Sequence, residues 1–390
     1  MLTRLLFLYF ILGCSTYLQS QDDPKSNHLQ QKISVFDKEV EFSGWRGNNT
    51  IKVNAVSIGF FFPVNPDNQI NASINNAADL AIDEINKAGG YNGLPFRLIK
   101  RWSDDPWGAG SKEMIKLVYR DSVRAVIGSL DGAATHVAEQ ITTKAWVPLI
   151  SAVSADPTLN YIRIPWIFRL PPGYQSQARM IVNQGIKAQT LKKVGLITST
   201  NHDGRIFAKE VRDAMKEINQ SLLFHFQVNT QQENLSDIAE RMLTFKPDAL
   251  ILLLSEQQIE DNISKLQDND FSMPLFIPWI PDLNMALLSE INSGNLYTIK
   301  SFSHADNPAW ESFRDNYYSR YRSIPSASAA FTYDAIHLVA CAIEKAGLNR
   351  AAIRDAIFHT DYLSPVTGKI SWDNTGGNIF QSMKLQKFAR

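Results

Sequence analysis

The stretch "RAVIGSLDGAATHVAEQITTKAWVPLISA", Arg124 to Ala152, decides the fold. A short apolar run ends at Asp131-Gly132, the helical pattern "GAATHVAEQITTKA" follows at once, and "VPLISA" is a second short apolar run. Strand, helix and strand with so little chain between them make a parallel crossover unit. A strand running straight into a helix leaves unpaired backbone N–H groups at the helix start, a place that attracts anions. Here an aspartate occupies it. Asp131 is either the cap of that helix or a residue facing a ligand.

Working outward, the same alternation repeats on both sides. Before it, "KVNAVSIGFFFPV" reads as a strand. "ASINNAADLAIDEINKAGG" carries Ile74, Ala78, Ala81, Ile82 and Ile85 at helical spacing, with Gly89-Gly90 as the stop signal. "LPFRLIKRW" and "SKEMIKLVYRD" continue as strand and helix. After it come "WIFRLPP", "YQSQARMIVNQGIKA", "KKVGLITST", "GRIFAKEVRDAMKEIN", "LLFHFQV", "LSDIAERMLTF", "DALILLLS", "EQQIEDNISKLQD" and "MPLFIP". Continuous apolar runs such as "ALILLLS" suit parallel strands covered on both faces. Two such series, one on each side of Pro171, predict an α/β protein with two doubly wound parallel-sheet lobes. Three late helices, "PAWESFRDNYYSRYRS", "SAAFTYDAIHLVACAIEKAG" and "AAIRDAIFHT", break the alternation, and "GKISWDNTGGN" and "SMKLQKFAR" close the chain as strands.

Composition agrees with this division. The chain has 390 residues, 44% of them hydrophobic, more than one compact domain usually holds. Lys plus Arg equals Asp plus Glu at 39 each, so no net field draws in nucleic acid. The first residues differ: Arg4 precedes an apolar run from Leu5 to Leu12, well short of the ~20 residues that span a bilayer. Residues 1–14 read as a secretory signal peptide whose end, "ILGC", resembles a bacterial lipobox with Cys14 as the lipid-modified residue. Cleavage near Ser20, giving a soluble secreted protein, and an uncleaved anchor are the alternatives. Residues 15–50 read as a polar tether with a short hairpin around "ISVFDKEVEF". Cys341, the one other cysteine, sits in an apolar helical run and reads as a small buried hydrophobe, so stability rests on the core rather than on disulfides.

Catalytic templates fail. There is no GxSxG, HExxH or GxxxxGK[ST], and the histidines at 28, 136, 202, 225, 304, 337 and 359 show no metal-ligand spacing. The sequence therefore predicts no enzyme, no cofactor and no metal. It offers polar residues at strand ends instead: Asn65, Asp67 and Asn68; Asp104 and Asp105 with Trp107; Asp131; Ser151 and Ser154; Asn201, His202 and Asp203; Ser255 and Glu256; Trp279 and Asp282. Singly, such residues cap helices. Collectively they lie beyond the carboxyl ends of strands, where ligands bind in open α/β sheets, and with two lobes that place is the cleft between them. Tyr333-Asp334 reads as structural, with Asp334 bonding locally at its helix.

Several segments resemble one family. "AIDEINKAGGYNGLPFRLIKRWSDD", "VIGSLDGAATHVAEQITTKAWVPLISAVSADPTL", "WIFRLPP", "NPAWESFRDNYYSRYRSIPSASAAFTYDAIHLVACAIEKAG" and "GKISWDNTGG" are similar, in this order and spacing, to the type I periplasmic binding proteins. The nearest likeness is to the branched-chain amino-acid (Leu/Ile/Val) binding proteins of ABC transporters, from about Ile51 to the C-terminus. The resemblance implies two lobes joined by three crossings: 51–170 plus 303–364, and 171–302 plus 365–390. It implies capture of a small polar ligand (amino acid, amide or amine) in the cleft, delivery to an ABC transporter permease, and a periplasmic or cell-envelope location. It also implies site positions: Asp131 and Gly132 where relatives hold the ligand carboxylate, Ala152 and Ser154 in the next loop, and Asp203 where a tyrosine often covers the ligand. Near Ile280, with Asp282 two residues on, relatives often carry an acidic residue for the ammonium. The departures matter, because a ligand held by some of Asp131, Asp203, Glu256 and Asp282 is cationic or polyhydroxylated rather than anionic. An ordinary amino acid using the Gly132 N–H stays open, and so does a second class, a sensor or envelope lipoprotein of the same fold that binds another protein.

Overall fold

The structure, a computed structural model, describes residues 53–63, 69–229, 242, 244–255, 258, 273–281, 295–304, 307–360, 363–364, 366–379 and 383–388, with two short strands before them. Those two, β1 (Ile33–Val35) and β2 (Lys38–Val40), pair antiparallel as the hairpin expected in the tether. The leader with Cys14 and the rest of the tether, together with Glu256 and Asp282, lie outside the described residues. Among the described residues no helix is long and apolar enough to cross a membrane.

The first lobe runs β3 (Val56–Phe61), α1 (Gln69–Lys87), β4 (Phe96–Lys100), α2, β5 (Val126–Gly128), α3 (Gly132–Lys144), β6 (Leu149–Ser151), a single turn α4 (Thr158–Tyr161) and β7 (Ile167–Arg169). Helix α2 has a central turn, Ser111–Ile115, flanked by wider π turns at Pro106–Gly110 and Lys116–Arg120. The second lobe runs α5 (Tyr174–Met180, continued as π turns over Ile181–Lys187), β8 (Val194–Ser199), α6 (His202–Glu217), β9 (Phe224–Val228), β10 (Ala249–Leu253), β11 (Leu275–Ile277) and β12 (Leu296–Lys300). The chain then returns to the first lobe as α7 (Pro308–Tyr321), α8 (Ala327–Ala346), α9 (Arg350–Phe358) and the small hairpin β13 (Leu363–Ser364) and β14 (Gly368–Lys369), before β15 (Lys384–Lys387) ends in the second.

The two sheets share one topology. The first has the order β4-β3-β5-β6-β7, all parallel, and the second has β9-β8-β10-β11-β12 parallel with β15 added antiparallel at its edge. In each, the chain winds outward in both directions from its first strand. The connections leaving the two central neighbours therefore diverge and open a crevice at their carboxyl ends. In the first lobe that crevice carries the β5–α3 loop, and in the second the β8–α6 loop. Strand β10 is buried along its whole length, as its unbroken apolar run requires.

Helix α8 is buried nearly all round and packs on α1 and α9, which its alanine-rich, apolar sequence permits. Asp334 within it is fully buried and accepts the N–H of Thr367 at 2.9 Å and the Thr367 hydroxyl. Asp334 thus ties α8 to the segment after α9. That segment also joins the first lobe's edge strand: Arg169 N–H donates to Gly376 O at 2.9 Å, and Asn378 N–H to Arg169 O at 3.0 Å. Gly376 has φ +84°, and a Cβ there would lie 2.4 Å from Ile167 O, so the close approach needs glycine. Residues of 366–378 therefore bond to the first lobe. Cys341 is half-buried rather than fully so.

His337, on α8, is held neutral by burial, its pKa pushed down to about 3. Its ring lies 4.4 Å from that of Tyr333, whose hydroxyl donates to Glu84 of α1. A histidine depressed in the folded state takes up its proton on unfolding. Its contribution is complete above about 6.5 and is lost as pH falls towards about 3, up to about 3 kcal/mol by pH 4. His337→Gln is expected to flatten the fall in melting temperature between pH 6.5 and 4. An unchanged pH profile in the variant would exclude His337 as the source.

Candidate functional site

The opening question about Asp131 has a geometric answer. Asp131 has extended backbone (φ −134°, ψ 173°) and its exposed carboxylate accepts the N–H of Ala134 at 2.7 Å, so it caps α3. The Thr135 hydroxyl donates to Asp131 O at 2.6 Å and accepts the Ser129 N–H at 3.1 Å, which fixes the loop. Asp105 and Asn201 cap α2 and α6 in the same way.

With Asp131 turned to its own helix, the Gly132 N–H points across the cleft. It donates to Asp203 Oδ1 of the second lobe at 3.1 Å. The lobes touch closely here: a Cβ on Gly132 would lie 2.5 Å from Asp156 Oδ2, 2.6 Å from Asp203 Oδ1 and 2.7 Å from His202 Cδ2. A protein carboxylate thus fills the anion position at the head of α3. Burial and the Asp131 and Asp156 charges push the Asp203 carboxyl up to about 7, while His202 and the Gly132 N–H pull it down less strongly.

Beside this contact lies a second one. Asp156, fully buried in the loop after β6, receives His202 Nε2 on Oδ2 at 2.6 Å, with His136 Nε2 3.2 Å from the same oxygen. Its Oδ1 accepts the Thr158 N–H at 2.8 Å and the Thr158 hydroxyl at 2.7 Å. His136 Nδ1 lies 2.7 Å from Glu139 Oε2, and His136 Nε2 2.8 Å from Thr158 Oγ1. Burial opposes charge on His136, but its bonds to Asp156 and Glu139 outweigh that and raise its pKa to about 9. Burial would raise Asp156 too, yet the two histidines and Thr158 hold it well below the carboxylate range. The Asp156 bond raises His202, and burial raises Glu139. Further along, the Tyr161 hydroxyl donates to Glu210 Oε1 of α6 at 2.6 Å. Tyr174, just past the first crossing, is buried against Phe207, and burial drives its hydroxyl pKa far up. His136, Asp156 and His202 together bring three metal-capable donor atoms within 4.8 Å of one another.

The structure brings together part of the expected set. Asp131, Gly132 and Asp203 meet at the lobe boundary. Ala152 is fully buried, and Ser154, 1% exposed, accepts the Asp156 N–H on its hydroxyl at 3.3 Å, so both shape the loop that presents Asp156. Trp107 stands 60% exposed on the first turn of α2 and makes no described contact with the interlobe residues. Trp279 is core: its backbone N–H donates to Gln177 Oε1 at 2.7 Å and its ring packs edge-on to Phe331. His136, Asp156 and Tyr174 were not singled out as site residues from sequence, and His202 was named only as one of the strand-end residues. The usable signal was position, since His202 opens a helix just beyond a strand end and His136 lies early in another.

A family model described as periplasmic binding protein matches residues 55–389. Among solved structures, the branched-chain amino acid transporter substrate binding protein LivJ from Streptococcus pneumoniae, in complex with isoleucine, is 22% identical. It superposes with a TM-score of 0.73 over 86% of this chain and 100% of that one. A solute binding protein of an ABC transporter from Rhodopseudomonas palustris, in complex with 3,4-dihydroxy benzoic acid, is 20% identical with a TM-score of 0.73, covering 86% and 97%. Among curated proteins, Glutamate receptor 2.2 of Arabidopsis thaliana is 22% identical over 244 residues, 60% of this chain. The match spans only 26% of that receptor's length.

Proposed function

We propose, from the premise that the chain belongs to the periplasmic binding protein family, that it is an extracytoplasmic solute-binding protein. It captures a small polar molecule between its lobes and hands it to an ABC permease, with no chemistry of its own. Hinge closure over the solute is the expected working motion. Attachment to the membrane through a lipidated Cys14 completes the reading and rests on the leader sequence alone.

The observation that carries the ligand class is the Gly132 N–H donated to Asp203. The similar proteins above were solved with isoleucine and with a dihydroxybenzoic acid, both carboxylates. In this chain a carboxylate of the second lobe already fills the anion position at the head of α3, with Asp156 beside it. An incoming carboxylate has to displace Asp203, whereas an amine, amide or polyol is attracted to it. A cationic or neutral polar solute is therefore the better fit.

A thermal-shift panel of amines, amides and polyols against leucine, isoleucine and benzoate tests this. A true ligand at one hundred times its Kd stabilises by about 2.7 kcal/mol. Asp203→Asn is expected to weaken an amine at least about tenfold, the loss of one charge-assisted bond. Asp131→Ser, which keeps a capping side chain, should leave binding within about twofold. Stabilisation by leucine or isoleucine alone, strengthened in Asp203→Asn, would sink the cationic reading. The match to a plant receptor segment keeps a sensor role of the same fold as the second reading. It predicts tight solute binding without a permease partner.

A further inference from the structure

Two histidines from opposite lobes converge on one buried carboxylate oxygen. His136 comes from the first turn of α3, His202 opens α6, and Asp156 stands in the loop after β6. His202 Nε2 is 2.6 Å and His136 Nε2 3.2 Å from Asp156 Oδ2, and all three donor atoms lie within 4.8 Å of one another. We propose that His136, Asp156 and His202 form a binding site for a divalent transition-metal ion, zinc in class, that bridges the two lobes.

The surroundings are arranged as a metal site requires. Thr158 engages Asp156 Oδ1 through its N–H and its hydroxyl, which leaves Oδ2 to face the histidines. Glu139, nearly fully buried, holds His136 Nδ1 at 2.7 Å. A proton on Nδ1 shared with Glu139 leaves the Nε2 lone pair turned to the cluster, the orientation that carboxylate partners impose on zinc-bound histidines. Bonds of 2.0–2.1 Å in a tetrahedral site place ligand atoms about 3.3 Å apart. The His136–Asp156 pair already has nearly that spacing. The His202–Asp156 pair widens by less than 1 Å, a rotation of one half-buried side chain, and His136 gives up its Thr158 bond. Two imidazoles and one carboxylate select zinc, cobalt or nickel over calcium or magnesium. A dication also offsets the crowding of Asp156 and Asp203 around Gly132. The site is a property of the lobe boundary and does not depend on which solute the cleft takes.

The test uses tag-free protein stripped with a chelator and titrated calorimetrically with Zn²⁺ near neutral pH, with Co²⁺ as the optical probe. The expected result is one ion per chain and the visible absorption of four-coordinate cobalt. His136→Gln and His202→Gln should each weaken Zn²⁺ at least about tenfold, and Glu139→Gln about tenfold, as for other carboxylates behind a ligating histidine. His225→Gln, on β9 and outside the cluster, should leave binding unchanged, and cooperative melting of each variant shows that it folds. Wild-type protein that binds no ion, with both histidines simply protonated against Asp156, would overturn the proposal. So would undiminished binding in a His136→Gln/His202→Gln double variant. Metal binding without any solute stabilisation would leave this inference standing and remove the solute reading instead.

Discussion

Arg169→Ala is expected to lower the unfolding free energy by about 2–4 kcal/mol, the cost of a buried cavity and of two acceptors left unpaired. Arg169 ends β7, where the chain first crosses between the lobes, and is only 8% exposed. Its Nε donates to Asn160 Oδ1 at 2.9 Å and a terminal nitrogen donates to Pro171 O at 2.6 Å. Its backbone meanwhile pairs with Gly376 and Asn378 of the returning segment. Burial pushes the guanidinium down to about 10, against the opposing pull of Asp373 and Asp156, so the cation is held at a real cost in desolvation. Alanine would leave a cavity, orphan two acceptors and loosen the first crossing together with the segment that leads to the third. Lysine lacks the planar fork and cannot reach both acceptors, so Arg169→Lys should recover less than half of the loss. Arg169→Met keeps the stem packing and isolates the donors. Urea midpoints at constant slope measure all three. A lysine variant as stable as the wild type would show that the fork geometry is irrelevant.

Arg169 also shows why part of the fold was legible in the sequence and part was not. Parallel strands buried on both faces must be short unbroken apolar runs, so "ALILLLS" and "KVGLIT" announced β10 and β8 directly. Helices that cover a sheet must repeat their apolar positions, and α1 does. The segment 366–378 returns to β7 through backbone pairing, a glycine turn and Asp373, none of which leaves a hydrophobic period. Its attachment to the first lobe's edge strand is therefore not legible in the pattern alone.

The same contrast holds at the site. The cap was one of two readings open for Asp131, legible because capping is a local matter of one side chain and the next turn. The Gly132–Asp203 and Asp156–His202 contacts are between lobes, and each partner looks like an ordinary strand-end residue until both sheets are built. Trp107 and Trp279 stand at strand ends, where an aromatic ring is either a stacking surface for a ligand or core packing. Burial decides such cases, and it separates the exposed Trp107 from the packed Trp279.

Asp156→Ala, measured in a chelating buffer, is the second large effect expected, about 3 kcal/mol of stability together with a looser contact between the lobes. Asp156 accepts from His202 and from both donors of Thr158, and His136 lies within ion-pair distance. Its removal leaves two imidazoles with ring centroids 5.5 Å apart and no shared counter-charge. The bonds that raise His136 to about 9 are then halved, so its proton becomes easier to lose, and any proton that stays repels His202 across the boundary. The lost His202–Asp156 bond and that repulsion loosen the contact between the lobes. Small-angle scattering should register a larger radius of gyration, and chemical denaturation the lost stability. Thr158→Val removes the hydroxyl bond but keeps the backbone one, and should cost about 1 kcal/mol. Asp156→Asn keeps the acceptor oxygen without the charge and should fall between the two. An Asp156→Ala protein with wild-type scattering and wild-type stability would mean that the remaining contacts, Gly132–Asp203, Tyr161–Glu210 and Trp279–Phe331 among them, hold the lobes without it. Three acceptor bonds and a cation pair make Asp156 the more strongly engaged residue, since Asp203 takes the Gly132 N–H and the Tyr174 hydroxyl and carries a raised pKa.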